Sequence, residues 1–171
     1  IIDIKFSGYK MSSKQQDIIC EACDLMLSQL VSKRLKDSLF LTIHVVKDLH
    51  VTHNVWGDVD VEDCYEKSPK EYTIRLNYSG VKSFIKMLEV LSHELIHVAQ
   101  YATRKMRILS ESFKVAYGKE HFNSYRMPYA ERPWEIEAHE KEYVLFSKAV
   151  NSSDNIQKYI EKSSWKYGLG M

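Results

Sequence analysis

The length, composition and charge of the chain exclude several classes of protein. With 171 residues, 44% of them hydrophobic and 27% charged, it has the make-up of an ordinary globular protein and is expected to form one domain over residues 1–171. A formal net charge of +1 gives no strong overall attraction to nucleic acid or to membranes. No stretch approaches the roughly 20 consecutive apolar residues of a membrane span.

The N-terminus and the cysteines bear on the cellular compartment. Residues 1–4 lack the basic flank and the long apolar core of a secretory signal. Three cysteines, an odd number, argue against a disulfide framework and favour a reducing compartment. Cys20 and Cys23 form C-x-x-C, but within a helical pattern and without a second such pair, so we interpret them as small apolar helix residues. A cytoplasmic location is therefore expected.

The first half of the chain predicts a helix followed by three strands. Apolar residues recur at helical spacing over residues 13–33. Residues 39–46 are apolar at nearly every position, which is typical of a strand covered on both faces. A second strand with an irregular middle is predicted within residues 51–65. Residues 71–77 alternate between apolar and polar side chains, which predicts a half-exposed strand at a sheet edge.

The second half predicts three further helices. Residues 81–103 contain no proline or glycine, and apolar side chains recur there at steps of three and four. Residues 118–129 are predicted to be a loop. Pro133 suits the first turn of a helix that runs to about Val150, and a short last helix is predicted after residues 151–154.

The helix over residues 81–103 carries the motif H-E-x-x-H at residues 93–97. Residues four apart on a helix lie almost above one another, so His93 and His97 can aim two imidazole nitrogens at one point. Glu94 is rotated by about 100° around the helix axis from His93. Its carboxylate would then lie beside the metal and could act as general base towards a metal-activated water. The alternative is a chance occurrence on a surface helix, which the flanking Leu, Ile and Val residues disfavour.

A catalytic zinc site usually has three protein ligands, so a third residue is needed. The helix that begins near Pro133 offers four candidates: Glu135, Glu137, His139 and Glu140. At about 100° per residue, Glu137 lies on the flank of the inward face that Trp134 and Ala138 define. Glu135 and His139 point away from that face. A carboxylate near the apolar side is costly to bury unless it is paired or bound to a cation, so Glu137 is the predicted ligand and His139 the alternative.

These residues resemble the zincin metallopeptidases in their gluzincin arrangement: a helix, three strands, the H-E-x-x-H helix and a later helix with Glu137-Ala138. Ile74-Arg75-Leu76-Asn77, ahead of the motif, is similar to small bacterial and phage zincins of the ImmA-like and SprT-like kind. The resemblance covers roughly residues 13–149. It implies an α+β, zincin-like minimal fold with an N-terminal helix, a small three-stranded and mostly antiparallel sheet, the active-site helix and C-terminal helices. By position it implies that His93, His97 and Glu137 bind Zn²⁺ and that Glu94 is the general base.

The predicted function is that of a zinc metallopeptidase, a hydrolase that acts as an endopeptidase on a protein or peptide substrate. Three residues between the two helices are candidates for stabilising the oxyanion or contacting the substrate: Tyr129, His121 and Tyr125. The strand at residues 71–77 is expected to hold an extended peptide by β-augmentation.

Two other functions stay open at this point. One is a DNA-associated, SprT-like protease that uses the basic runs at residues 33–36 and 104–107. Nucleic acid is the less favoured partner, because SprT-like proteins often carry a C-terminal zinc ribbon and this chain has no cysteine after Cys64. The other is a non-catalytic, metal-stabilised protein-binding module. The sequence indicates neither the substrate nor the oligomeric state.

Overall fold

The computed structural model describes residues 2–80, 84–109 and 113–166, the last three of these by their backbone only. Within these ranges the protein is α+β, with six α-helices and two β-sheets. The predicted start of the motif helix at residues 81–83 and the polar tail after residue 166 lie outside the described residues.

The larger sheet is built from strands that precede the motif helix. They are β1 (Asp3–Gly8), β2 (Phe40–Lys47), β3 (Gly57–Val61) and β4 (Glu71–Tyr78). Their spatial order is β1-β2-β4-β3. The pairs β1–β2 and β2–β4 are parallel, and β3 pairs with β4 in antiparallel orientation. In place of three mostly antiparallel strands, the chain before the motif therefore forms a four-stranded mixed sheet.

Three details of this sheet differ from the sequence-based expectations. The N-terminal strand β1 was not predicted. The segment expected as one irregular strand at residues 51–65 contains the end of a short helix, α3 (Leu49–His53), and then β3. The strand expected at an edge, β4, lies between β2 and β3, so the edge beside it is formed by β3 instead. The half-exposed pattern of β4 arises because one face of the sheet is covered and the other is not.

Three long helices pack together against the covered face of this sheet. The helices of the chain besides α3 are α1 (Ser13–Leu30), α2 (Lys33–Lys36), α4 (Phe84–Ala102), α5 (Pro133–Asn151) and α6 (Asp154–Lys166). A capping box begins α1, in which Ser12 and Gln15 each accept a hydrogen bond from the other's backbone N–H. Helix α4 contacts β3 and β4 on one side and α1 and α5 on the other. The predictions of α1, α5 and α6 are confirmed.

The core lies between the larger sheet and these helices. Alternate residues of β2 and β4 point into it and are fully buried: Leu41, Ile43, Val45, Tyr72, Ile74 and Leu76. Leu91 and Leu95 of α4 and Ala138 and Leu145 of α5 complete it. Their packing fixes α4 against α5, which is the contact that positions the candidate site.

A second sheet follows α4 and has three antiparallel strands. They are β5 (Met106–Ile108), β6 (Lys114–Tyr117) and β7 (Glu120–Asn123), in that spatial order. The strand β7 falls in the segment predicted to be a loop. Trp134 packs against Met106 and Val115, so the first turn of α5 is anchored on this sheet. In the described part of the chain no helix is both long and apolar enough to cross a bilayer.

Candidate metal centre

The H-E-x-x-H motif lies in the buried middle of α4. His93 and His97 are each 8% exposed and Glu94 is 4% exposed. The motif faces β3 on one side and α5 on the other. Burial of all three polar residues excludes the solvated surface helix that was the alternative interpretation of the motif.

Three side chains bring their ligand atoms to one point. His93 Nε2 lies 3.0 Å from His97 Nε2. Glu135 Oε2 lies 3.2 Å from His93 Nε2 and 3.3 Å from His97 Nε2. A four-coordinate zinc ion with bonds of about 2.0–2.1 Å places its ligand atoms about 3.3 Å apart. The triangle of His93, His97 and Glu135 therefore has the size of one face of a metal coordination shell, and these residues could hold a metal ion.

Hydrogen bonds on the far side of each ring orient both imidazoles. His93 Nδ1 lies 2.6 Å from Glu142 Oε2, and His97 Nδ1 lies 2.8 Å from Gln100 Oε1. Because both oxygens accept, each Nδ1 carries the proton and donates it. In the neutral rings the lone pairs are then on Nε2, where they converge with the carboxylate of Glu135. Three electron pairs that meet in a buried space repel one another, and a cation between them would relieve that repulsion.

The electrostatics of the triad favour positive charge. Burial by itself would lower the pKa of His93 and His97, but hydrogen bonds to carboxylates and the charge of Glu135 raise it. Burial would raise the pKa of Glu135, and the two histidines that face it, which carry positive charge when protonated, bring it well below its usual range. Glu135 is thus a carboxylate, ready to bind a metal ion.

The third residue of the triad differs from the predicted one. Glu135, in the first turn of α5, faces the histidines. The carboxylate of Glu137 instead accepts hydrogen bonds from Lys105 Nζ at 2.8 Å and Gln100 Nε2 at 2.9 Å, and further bonds from Tyr117 and Lys141. The structure thus places Glu135, and not the predicted Glu137, with the two histidines. Glu137 supports the site indirectly, since Gln100 in turn accepts the proton of His97 Nδ1.

The alternative ligand, His139, lies beside the triad without joining it. Its ring centroid is 4.7 Å from that of His93, and its Nδ1 is 3.4 Å from Glu142 Oε1. His139 and Glu142 form a second group of potential ligand atoms with His93. In this group Glu142 is already the acceptor for the His93 Nδ1 proton, so it orients a ligand of the triad.

Glu142 and Gln100 are functional candidates that the sequence reasoning missed. A signal for Glu142 was present, because Glu135, His139 and Glu142 are spaced by four and then three residues and share one face of α5. Gln100 likewise lies three residues after His97, on the same face of α4. Residues at this spacing from a histidine of the motif are the ones that can reach its second nitrogen.

Glu94 lies next to the triad in a pocket made by the close approach of β3 to α4. Burial raises the pKa of Glu94 to about 8. The approach depends on Gly57, since a Cβ there would lie 2.6 Å from Val90 Cγ1 and 3.0 Å from Glu94 Oε1. A carboxyl group that binds a proton this tightly is suited to accept one near neutral pH.

The triad and Glu94 line an open cavity of about 790 Å³. Tyr129, one of the three substrate or oxyanion candidates, is on its wall. Burial and a hydrogen bond to Glu135 raise the pKa of its phenol, so the phenol keeps its proton. The other two candidates, His121 on β7 and Tyr125, are not among the described residues that line the cavity. Tyr125 packs against Phe113 and is largely exposed.

No protein-family model, no curated protein and no solved structure matches this chain. Its chemistry therefore follows from the arrangement of its own side chains. That arrangement is a buried triad that could hold a metal ion, with the carboxyl group of Glu94 beside it on the wall of an open cavity.

Proposed function

We propose that the protein is a zinc-dependent endopeptidase of the gluzincin kind. The observation that carries this proposal is the placement of Glu94, buried next to three converging ligand atoms and facing the same open cavity. A purely structural zinc site is closed by four protein ligands, whereas this group has three within the described residues. A structural site would also have no use for a buried carboxyl group beside it.

The ligand set suits zinc. Two imidazoles and one carboxylate are a common combination for catalytic Zn²⁺. When bound, the ion would act as a Lewis acid that activates water and polarises the scissile carbonyl. Glu94 accepts a proton from the attacking water and passes it to the leaving amine. Tyr129 is the proposed hydrogen-bond donor to the carbonyl oxygen, since its protonated phenol lies beside Glu135.

A peptide substrate can be held by the edge strand β3. This strand replaces β4, the strand first expected in that role, because β3 is at the end of the larger sheet and β4 is not. Gly57, Asp58 and Val59 of β3 line the cavity, next to α4. An extended peptide added to this edge would be held by its backbone, which leaves side-chain specificity to the cavity walls.

Metal analysis combined with Glu94→Gln tests the proposal. The purified protein should bind one zinc ion and cleave peptides of a digested proteome. Glu94→Gln should keep the zinc and lose at least about a hundredfold in cleavage rate, the size of a general-base contribution. Glu140→Gln, an exposed glutamate on α5, is the matched control and should cleave normally.

Two outcomes would contradict the proposal. A wild-type protein that holds no divalent ion would exclude a metallopeptidase. A protein that holds zinc but cleaves nothing, with or without Glu94, would instead support the non-catalytic, metal-stabilised binding module.

A further inference from the structure

A second cavity adjoins the first along the groove between β3 and the end of α4. Its volume is about 280 Å³. Tyr101 and Met106 line both cavities, so the two are neighbours. Val61, at the end of β3, also lines the second cavity. A chain held along β3 would pass from the metal triad into this second cavity.

The basic run at residues 104–107 gives the second cavity its charge. Two residues after the end of α4, Arg104 adopts a left-handed conformation (φ 63°), and its N–H bonds to the carbonyl of Tyr101 before β5 begins. The turn brings both Arg104 and Arg107 to the cavity wall.

The two guanidinium groups have no carboxylate partner in the described part of the chain. Lys105, between them, is paired with Glu137 at 2.8 Å. Arg104 and Arg107 have no carboxylate within 4.0 Å among the described residues. Lys67 also lines the cavity, and Glu66 is the one acidic residue on the described part of its wall. The cavity therefore offers a partly apolar floor with an excess of positive charge.

The distance from the triad sets which substrate residue would reach this cavity. From His97, α4 continues for five residues to Ala102, about 7.5 Å at 1.5 Å per residue, and Arg104 follows just past that end. Along β3, the four steps from Gly57 to Val61 span about 13 Å. An extended peptide advances about 3.3 Å per residue, so the cavity lies three or four residues from the cleaved bond.

We infer that the second cavity binds an aspartate or glutamate side chain of the substrate, three or four residues from the scissile bond. A guanidinium can hold a carboxylate through two parallel hydrogen bonds, and the side chain's methylene groups would rest on Met106 and Val61. This inference rests on the proposed peptidase function and specifies its substrate class as peptides with an acidic residue at that position.

Cleavage-site profiling of the zinc-loaded protein on a library of proteome-derived peptides tests the inference. Asp and Glu should be enriched roughly three- to fivefold at the third or fourth position on one side of the cleaved bond, the size of a partly exposed ion pair. The enrichment should fall as salt is raised. In Arg104→Gln/Arg107→Gln it should disappear, while peptides with Asn or Gln at that position are cleaved at the wild-type rate.

The control removes the same charge elsewhere. Arg34→Gln/Lys158→Gln loses two exposed cations that line neither cavity, and it should keep the acidic preference. Thermal unfolding of both double variants shows whether either has lost its fold; a misfolded arginine double variant would be replaced by the two single variants, each expected to lose part of the preference.

Every other outcome either supports or overturns the inference. Cleavage with no acidic preference at these positions overturns the inference and leaves the peptidase proposal intact. If no peptide is cleaved, the peptidase proposal fails, and retention of the same library on immobilised zinc-loaded protein decides the inference alone. Arginine-dependent retention of acidic peptides would support it, and unselective retention would overturn it. Binding of a labelled single-stranded DNA that is lost in the arginine double variant would also overturn it, by assigning these cations to nucleic acid.

Discussion

Two glutamates on one turn of α5 have opposite roles, although they are two residues apart. Glu135 faces the two histidines, and Glu137 faces Gln100 and Lys105. Both carboxyl groups have a lowered pKa and both are largely buried. Charge and burial alone therefore do not show which carboxylate could hold a metal ion. The atoms that each carboxylate contacts do show it.

Metal affinity should distinguish the two glutamates. Glu135→Gln replaces a carboxylate that completes the triad with a neutral amide and should weaken zinc binding by more than about a hundredfold, beyond the range for residues that only orient ligands. Glu137→Gln should weaken it by less than about tenfold. Competition with a chromogenic chelator measures both. Equal losses in the two variants would mean that the third ligand has been misassigned.

Two residues of the triad could be predicted from sequence, and the third could not, for a geometric reason. The spacing of His93 and His97 is an internal property of one helix. The angular position of a residue around the axis of α5 gives only its distance from the apolar face. It does not tell which flank of that face α4 covers. At about 100° per residue, the four buried apolar residues of α5 centre about 30° from Trp134, on the side of Glu135. Which flank is covered depends on how α5 packs in the fold. No local sequence pattern contains that information.

At the level of elements, local periodicity predicted the long helices well and the sheet less well. The repeat of apolar residues in α1 and α5 arises within each helix. The neighbours of a strand are chosen by distant parts of the chain, so β4 looked like an edge strand because one of its faces is half-exposed. The short strand β1 was missed although Ile4 and Phe6 alternate with polar residues there, since six residues give little periodicity.

Glu137 joins three elements, and the stability of that junction should depend on pH. Its carboxylate bonds to Gln100 of α4, Tyr117 of β6 and Lys141 of its own helix. Burial would raise the pKa of Glu137, but these bonds and the one from Lys105 lower it to about 2. A carboxyl group with a lowered pKa stabilises the fold above its ordinary pKa of about 4.5 and loses that contribution as the pH falls towards 2.

Glu137→Gln should therefore lower the free energy of unfolding at neutral pH by about 2 kcal/mol, the usual cost of breaking a buried, charge-assisted network. The difference from wild type should shrink as the pH is lowered from 4.5 towards 2. Denaturant unfolding of the metal-free proteins at several pH values measures it, with Glu140→Gln as the control. A difference that is constant with pH would mean that the charge of Glu137 contributes nothing.

For the whole molecule, the candidate metal centre joins parts that are already packed against each other. His93 and His97 come from α4 and Glu135 from α5, and the two helices also meet through Leu91, Leu95, Ala138 and Leu145 in the core. The second sheet is anchored on Trp134, just before Glu135. The positions of the ligands are therefore set by apolar contacts as well as by any ion they hold.

Removing the metal should accordingly lower the stability of the protein without unfolding it. At free zinc of about 100 times the dissociation constant, binding contributes about 2.7 kcal/mol, which corresponds to about 5–10 °C in melting temperature for a chain of this size. Dialysis against a chelator should produce that shift and leave the far-ultraviolet circular dichroism at 25 °C unchanged.

Glu135→Gln should melt at the temperature of the chelated wild type and respond little to zinc, because its triad lacks the carboxylate. Loss of helical signal on chelation would instead show that the core between the helices and the larger sheet cannot hold the chain together by itself, and that the ion is a structural requirement of the fold.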